Sequence, residues 1–304
     1  MIRRVWILLV FLLLAACSSQ PEQPPQVQLD AERLLERGVA AYQQGHFLAA
    51  TSHFQRALVQ FQGFDHRPGQ VQAHLNLAST LLQLGRLEAA SEQAQAAQDL
   101  ASALDLNQAY QQAQLLLARL AWLQQDPSLA RERLEPLLPT AMEAMTPIQL
   151  SALALRTRMA QQQADFDVWL ATYRQAVAQW GGVAHQRRLE RFEAYLEAQR
   201  GDDTSAQARL EQVLAAYRRE VQRPQLAATL QELGDLALQV ENLDAAEDYY
   251  QRALRVRLQL QDRLHAQQLL LSLAEVYQAG GQDPAAQVAR QQAAELQEKS
   301  EPSQ

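Results

Sequence analysis

The chain has 304 residues, a formal net charge of −7 and a composition dominated by residues that favour helices. Glycine and proline occur only 11 times each, and the strand-favouring isoleucine is confined to Ile2, Ile7 and Ile148. A sandwich or barrel of strands is therefore excluded. A hydrophobic content of 48% excludes a wholly disordered chain. Lys299 is the only lysine and no long basic run occurs, so a nucleic-acid partner is not expected.

The first segment has the organisation of a secretory signal. Arg3 and Arg4 precede an apolar run over residues 5–14, which is too short to span a bilayer because a spanning helix needs about 20 residues. The run ends in Leu14, Ala15, Ala16 and Cys17. An ordinary secretory signal or a short membrane anchor would explain the apolar run. Neither explains why the only cysteine of the chain stands at its end.

These four residues resemble the bacterial lipobox. The resemblance implies that Cys17 receives a diacylglyceryl group, that the chain is cut before it, and that the new amine is acylated. Ser18, where an aspartate would retain the protein at the inner membrane, implies delivery to the outer membrane. We therefore expect a lipoprotein signal peptide over residues 1–16 and a lipidated cysteine with a flexible Pro/Gln tether over residues 17–30. This arrangement would hold a folded body in the periplasm.

The rest of the chain contains an internal repeat. One copy has small residues at Gly38 and Ala50, a turn at Gly45 and an aromatic residue at Phe54. Similar turns recur about every 40 residues, at positions 45, 85, 125, 164, 201, 241 and 281. Five residues after each turn stands a small residue, except in the fourth copy, where Trp169 occupies that position.

This pattern resembles the tetratricopeptide repeat, a helical hairpin whose usual period is about 34 residues. The resemblance implies an all-α, right-handed superhelix of about seven hairpins over residues 31–300, with longer helices or connectors than usual, and a disordered tail over residues 301–304. Pro136 falls inside the second helix of the third copy, so that helix is predicted to kink or end early. Residues 139–147 are predicted to form a loop between two halves.

The sequence contains no motif of an enzyme or cofactor site. Its six histidines show no metal-ligand spacing, and a single cysteine cannot build a thiolate zinc site. Neither a glycine-rich phosphate loop nor a nucleophile elbow occurs. We therefore expect no catalysis, no cofactor and no bound metal.

In tetratricopeptide proteins the first helices of the hairpins line a concave groove. Carrying that register over gives the candidate partner-binding residues, which are Arg119, Trp122, Arg158, Arg188, Arg191 and Tyr195. Arginine binds carboxylates through its planar fork, and aromatic residues supply apolar contact area. The groove is therefore predicted to bind an acidic or aromatic segment of a partner. The alternative is that these arginines pair with the neighbouring Glu190 and Glu193, or with water.

The leading interpretation is a non-catalytic scaffold that is lipid-anchored to the outer membrane and binds an envelope protein through its concave surface. Lipoproteins that look like this act as pilotins in pilus or secretion assembly, in β-barrel assembly, or as activators of cell-wall synthases, and the 40-residue period does not discriminate among them. The alternatives are an envelope enzyme or small-ligand carrier, such as a cell-wall hydrolase, and a purely structural tether.

The lipobox makes a direct prediction about the mature N-terminus. Mass spectrometry of the N-terminal peptide should show an acylated Cys17 as the first residue. The Cys17→Ser variant should accumulate as an uncut precursor, because the peptidase acts only beside the modified thiol. An unmodified chain that begins at another residue would contradict this prediction.

Overall fold

A computed structural model describes residues 25–140 and 144–298, and within these ranges it contains fourteen α-helices and no strand. The helices are numbered in chain order as α1 (Gln26–Gln43), α2 (Phe47–Gly63), α3 (Arg67–Gln83), α4 (Leu87–Ala103), α5 (Asn107–Leu123), α6 (Pro127–Leu134), α7 (Pro147–Ala160), α8 (Phe166–Trp180), α9 (Val183–Gln199), α10 (Asp203–Arg219), α11 (Arg223–Gln239), α12 (Leu243–Gln259), α13 (Arg263–Ala279) and α14 (Asp283–Glu298). The expected all-α superhelix of seven hairpins is confirmed, and each hairpin pairs an odd-numbered helix with the next even-numbered one.

The 40-residue period follows from the lengths of these elements. Most helices have 17 residues, and three-residue connectors such as 44–46, 64–66 and 84–86 separate them. One hairpin and its two connectors therefore occupy 40 residues. All seven predicted turn positions lie in the connectors between the two helices of a hairpin.

Most connectors reverse the chain through one residue with a positive φ. Four of these residues are glycines, at positions 45, 85, 201 and 281, and six are not, namely Asp65, Asp105, Gln125, Val221, Glu241 and Gln261. Glycine adopts this left-handed conformation without steric cost, whereas a β-branched side chain is strained in it. Val221, with a φ of 56°, is the only β-branched residue among the ten.

The two helices of a hairpin approach closely because small residues stand where they cross. The alanines five residues after the turns are almost completely buried, namely Ala50, Ala90, Ala130, Ala206, Ala246 and Ala286. In the first hairpin, Gly38 faces the ring of Phe54, where an added Cβ would lie 2.3 Å from Cε1. In the sixth hairpin, Gly234 faces the ring of Tyr250, where an added Cβ would lie 2.5 Å from Cε1. Phe54, Tyr173 and Tyr250 are core residues, as their positions in the repeat suggested.

The fourth hairpin departs from this pattern at Trp169. The indole ring remains half-buried, the guanidinium carbon of Arg156 lies 4.4 Å from its centroid, and its Nε1 donates to Asp165 at 2.9 Å. The connector from α7 to α8 is also longer, at residues 161–165. The large side chain at the crossing thus packs against the apolar cluster around Leu170 and Tyr173 and is also held by these polar contacts.

The predicted break in the middle of the chain is confirmed. Helix α6 ends at Leu134, and a short 3₁₀ turn over Glu135–Leu137 carries Pro136. Helix α7 then starts at Pro147, where the Thr146 hydroxyl accepts from the Gln149 backbone N–H and the Gln149 side chain accepts from the Thr146 N–H. This reciprocal cap fixes where the second half begins.

The first helix starts earlier than expected. Helix α1 begins at Gln26, so residues 26–30 are helical although the sequence placed them in the tether. Side-chain pairs along the helix explain the difference, since Gln26 donates to Asp30 at 3.0 Å and Asp30 also pairs with Arg33 at 2.9 Å. No described helix is long and apolar enough to cross a membrane. The lipobox residues Leu14, Ala15, Ala16 and Cys17 and the tail 301–304 lie outside the described residues.

The strained connector predicts a stabilising substitution. Val221→Asn should raise the free energy of unfolding by about 1 kcal/mol, because asparagine tolerates the left-handed conformation that costs other side chains about 1–2 kcal/mol. Val221 is 71% exposed, so little packing is lost. Val240→Asn is the matched control, since Val240 is also exposed but has a φ of −93°. Thermal unfolding followed by circular dichroism should show a gain in stability for Val221→Asn only. An equal change in stability in both variants would contradict this explanation.

Candidate functional site

The first helices of the hairpins form one continuous face, which we call the inner surface. The predicted residues Arg119 and Trp122 lie on α5, Arg158 lies on α7, and Arg188, Arg191 and Tyr195 lie on α9. Side chains two hairpins apart interact across this face. Arg158 of α7 lies 3.7 Å from Glu232 of α11, and Arg188 of α9 acts electrostatically on Arg119 of α5. Side chains of successive hairpins therefore approach one another across the inner surface, and we call the space that they face the hollow.

Two of the four predicted arginines share a carboxylate. Arg191 donates from Nε and Nη2 to the two oxygens of Glu232, at 2.7 and 2.6 Å. Both side chains are largely buried, with 17% and 20% exposure. Removal from water lowers the pKa of Arg191, but the charge and hydrogen bonds of Glu232 outweigh it, so the pKa is raised. Arg158 adds a second positive charge to Glu232 and donates to Gln161 at 2.6 Å.

The partner of these arginines is therefore not the one considered from the sequence. Glu193 binds Arg174 at 2.9 Å and Arg209 at 3.2 Å, both on second helices of hairpins. No ion pair of the described residues involves Glu190. Spacing along α9 suggested neighbouring glutamates, whereas superhelical stacking brings Glu232 from the next hairpin.

Arg119 and Arg188 lack such a partner. Within the described ranges, no carboxylate lies at ion-pair distance from either guanidinium, although Arg188 contacts the hydroxyl of Tyr173. Both side chains are exposed to the hollow. The surrounding protein withdraws Arg119 from bulk water and Arg188 repels it, so the pKa of Arg119 is lowered. Two guanidinium groups held near one another without a carboxylate favour an anion between them.

The two predicted aromatic residues are partly used for packing. Trp122 is half-buried against the cluster around Ala118 and Leu134. The hydroxyl of Tyr195 donates to the backbone oxygen of Gln161 at 2.6 Å, and its ring meets Phe166 edge-on at 5.3 Å. Tyr195 thus ties α9 to the preceding hairpin, and Trp122 retains a partly exposed face.

The C-terminal half of the inner surface is acidic, which the sequence analysis did not identify. Asp235 accepts from the Tyr250 hydroxyl at 2.7 Å. Enclosure by the protein, together with the nearby charges of Glu232 and Glu275, raises the pKa of Asp235 to about 6. The repeat register held the signal, because Asp235 and Glu275 follow Tyr195 at the same position of successive repeats.

The described residues contain no group of three or more His, Cys, Asp or Glu side chains arranged to hold a metal ion. The charged side chains of the inner surface pair with one another or face the hollow singly. This arrangement suits the recognition of a charged segment.

Comparisons with known proteins agree with the fold. The sequence matches the Tetratricopeptide repeat family over residues 185–259 and again over residues 71–104, so the chain contains tetratricopeptide repeats. No curated protein matches it.

Several solved structures resemble the chain at low identity. The Rap conjugation gene regulator of plasmid pLS20, solved in complex with the Phr* peptide, has a TM-score of 0.65 at 15% identity, covering 82% of this chain and 67% of that one. A tetratricopeptide repeat protein from Parabacteroides merdae has a TM-score of 0.50 at 15% identity, covering 88% and 93%. The apo quorum sensor NprR from B. thuringiensis has a TM-score of 0.51 at 9% identity, covering 97% and 94%. These similarities show a shared helical-repeat superhelix.

The raised pKa of Asp235 predicts a pH-dependent contribution to stability. The folded protein binds this proton more tightly than the unfolded chain, so the contribution is complete below the ordinary value of 3.8 and is lost as the pH rises through about 6. The melting temperature of Asp235→Asn minus that of the parent should therefore increase between pH 4 and pH 7. His185, whose pKa burial lowers to about 4, has the opposite dependence, but it is present in both proteins and cancels in their difference. Asp248→Asn, the same substitution at an exposed carboxyl on α12, is the control. A difference in melting temperature that does not change with pH for Asp235→Asn would contradict the prediction.

Proposed function

We propose that this protein is a non-catalytic scaffold of the bacterial envelope, anchored to the outer membrane through a lipidated Cys17. In this proposal its tetratricopeptide-repeat superhelix lies in the periplasm and binds a segment of an envelope protein in the hollow. The observation that carries the proposal is the pair of guanidinium groups of Arg119 and Arg188, which face the hollow without a carboxylate partner.

The fold supports binding as the role of the chain. Stacked hairpins create an extended concave surface without placing reactive groups on it. Regulators and receptors with a similar superhelix include one solved with a bound peptide. The matched repeats cover hairpins in both halves of the chain.

The charges of the inner surface favour an anionic segment with an apolar residue beside it. Arg158 and Arg191 are largely neutralised by Glu232, so Arg119 and Arg188 provide the available positive charge. Trp122 lies three residues after Arg119 on α5, which places both side chains on one face of the helix. A carboxylate at the arginines and an apolar side chain at Trp122 would complement this part of the surface.

The location of the scaffold is proposed from the sequence before α1. Cys17 follows Leu14, Ala15 and Ala16, as the lipobox requires, and Ser18 favours the outer membrane. The identity of the assembly, whether pilus, secretion, β-barrel or cell-wall machinery, depends on the partner. An adaptor between such machinery and the membrane needs both an anchor and a binding surface, and this chain has candidates for each.

The choice of variants follows from the ion pairs. Replacing Arg158 and Arg191 with Glu would place two further carboxylates beside Glu232 and remove a largely buried pair, which is strongly destabilising. These substitutions would therefore confuse loss of binding with loss of folding. Arg119 and Arg188 are the better positions because no ion pair is broken there.

We expect the Arg119→Glu/Arg188→Glu variant of the full-length lipidated protein to lose its partner. After cross-linking in cells and purification from membranes, quantitative mass spectrometry should show a stoichiometric envelope protein with the parent. Its recovery with the variant should fall by about tenfold or more, because a hydrogen bond to a charged group contributes about 1.5–3 kcal/mol.

The matched control is Arg56→Glu/Arg218→Glu, which makes the same change of charge at two exposed arginines on second helices. It should retain the partner, and both variants should melt near the parent temperature. Equal recovery with Arg119→Glu/Arg188→Glu would show that the inner surface is not the binding site. Absence of any specific partner from the parent would contradict the scaffold itself.

A further inference from the structure

The first and last parts of the superhelix contact each other. An added Cβ on Gly85, in the connector after α3, would lie 2.8 Å from Cβ and 3.1 Å from the backbone N of Leu264 in α13. An added Cβ on Gly45, in the connector after α1, would lie 3.3 Å from Cδ2 of Leu260. These pairs are separated by 179 and 215 residues, whereas a repeat array normally has contacts only between neighbours.

The contact has an apolar interior. Leu260 packs with Phe47 and Leu84 into a cluster in which all three are at most 4% exposed, with Tyr42 at its margin. Leu264 packs against the neighbouring cluster around Leu87. We call this set of residues, from Gly45, Phe47, Leu84 and Gly85 on one side and Leu260 and Leu264 on the other, the closing contact.

A buried polar group fixes the connector that forms the C-terminal side of the closing contact. Asp262, 2% exposed, accepts from Arg257 at 2.8 Å and from the ring and backbone N–H of His265 at 2.9 and 3.3 Å. Arg257 is itself 5% exposed. Asp262 lies between Leu260 and Leu264 in sequence, so its hydrogen bonds hold the backbone of this connector in one conformation and give the closing contact a rigid surface on this side.

The positions of the connectors show what the contact does. Successive connectors alternate between the two edges of the superhelix. Gly45 and Gly85 lie in connectors within hairpins, which share one edge of the superhelix. Leu260 lies in a connector between hairpins, which belongs to the other edge. The contact therefore joins one edge of the first two hairpins to the opposite edge of the last two. The superhelix therefore completes a turn and its side is closed.

The charges inside agree with an enclosed hollow. Arg119, on α5, responds electrostatically to Tyr42 of α1, Arg188 of α9, and both Arg257 and Asp262 beside the closing contact. Groups from the first, fifth and sixth hairpins and from the connector after the sixth thus act on a single guanidinium. A wide or open groove would separate and screen them.

We propose that the closing contact makes the hollow a laterally closed channel, and that its partner is an extended polypeptide segment with a free end. A segment held between two folded domains would have to enter from the side, which the closing contact blocks. Closure itself follows from the contacts above, while the kind of partner rests on the proposed function.

The first test is whether the contact forms in the full chain in solution. Arg86→Cys/Arg263→Cys places exposed thiols next to Gly85 and Leu264. Mild oxidation should give an intramolecular disulfide, detected by peptide mass so that Cys17 is not counted. The control Arg86→Cys/Arg223→Cys uses the equivalent connector one repeat earlier and should stay reduced. Equal yields in the two pairs, or no disulfide in the first, would overturn closure.

A pair of alanine substitutions tests the same contact without new cysteines on its surface. Gly85 and Gly201 occupy the same turn position with φ of 71° and 80°, but an added Cβ meets Leu264 at Gly85 and nothing within 4 Å at Gly201. Gly85→Ala and Gly201→Ala share the backbone strain, so only Gly85→Ala should increase hydrogen–deuterium exchange in residues 256–264. Equal exchange in both variants would overturn closure.

The second test measures access to the hollow and needs no natural partner. Arg188→Cys is labelled by maleimide carried either on the free end of an extended peptide or on a peptide tied between two folded domains. The labelling rate with each reagent is divided by the rate at which the same reagent labels Val59→Cys, because Val59 is exposed on α2. In the parent the tied reagent should react about tenfold more slowly than the free-ended one, equivalent to roughly 1.4 kcal/mol in barrier.

Breaking the closing contact should remove this discrimination. Leu260→Asp places a charge in the closed cluster, while Leu258→Asp, at a 48% exposed position two residues away, should behave as the parent. If Leu260→Asp does not fold, Gly85→Ala takes its place. Equal rates for both reagents in the parent, or unchanged discrimination once the contact is broken, would overturn the proposal. Loss of the proposed envelope partner would leave these labelling results intact, so the two failures are distinguishable.

Discussion

The regular reversal of the chain, through one left-handed residue in most connectors, is the constraint on which the rest of the structure depends. Because most helices have the same length, most hairpins cross at the same height, where an alanine such as Ala50 or Ala246 is buried. Equal hairpins then stack in one register. That register places residues 119, 158, 195, 235 and 275 at the same position of successive repeats, and it gathers their charges on the inner surface.

The middle of the chain shows how the superhelix continues where this regularity fails. Trp169 replaces the small residue of the fourth hairpin, and Pro136 ends the helix before it. Polar contacts add to the apolar packing there, because Arg156 holds Trp169 and Asp165 while Arg158 reaches Glu232 two hairpins later. The two halves are themselves joined by apolar packing, because Ile148, Ala152 and Met159 of α7 belong to one buried cluster with Ala118, Ala130 and Leu134 of the third hairpin.

The repeat could be predicted from the sequence because small residues and turns recur at a fixed period, and local geometry dictates both. The start of α1 at Gln26 was missed because its signal is a set of side-chain pairs rather than apolar periodicity. The partner of Arg191 was also missed. Glu232 lies 41 residues away, and only the stacking of hairpins brings it to 2.6 Å. The contact of Gly85 with Leu264 depends on the twist accumulated from the second hairpin to the seventh, which no local pattern encodes.

The closing contact also changes what the unpaired arginines contribute. On an open surface an ion pair contributes only about 0–1 kcal/mol, since water and salt screen it. In a closed hollow, protein surrounds the space that Arg119 and Arg188 face, so their attraction for a carboxylate there is screened less than on an open surface. The same enclosure makes it costly to leave such charges without an anion. A segment that enters from an open end would relieve this cost, and closure would then strengthen the binding while restricting the partner to a chain that can thread.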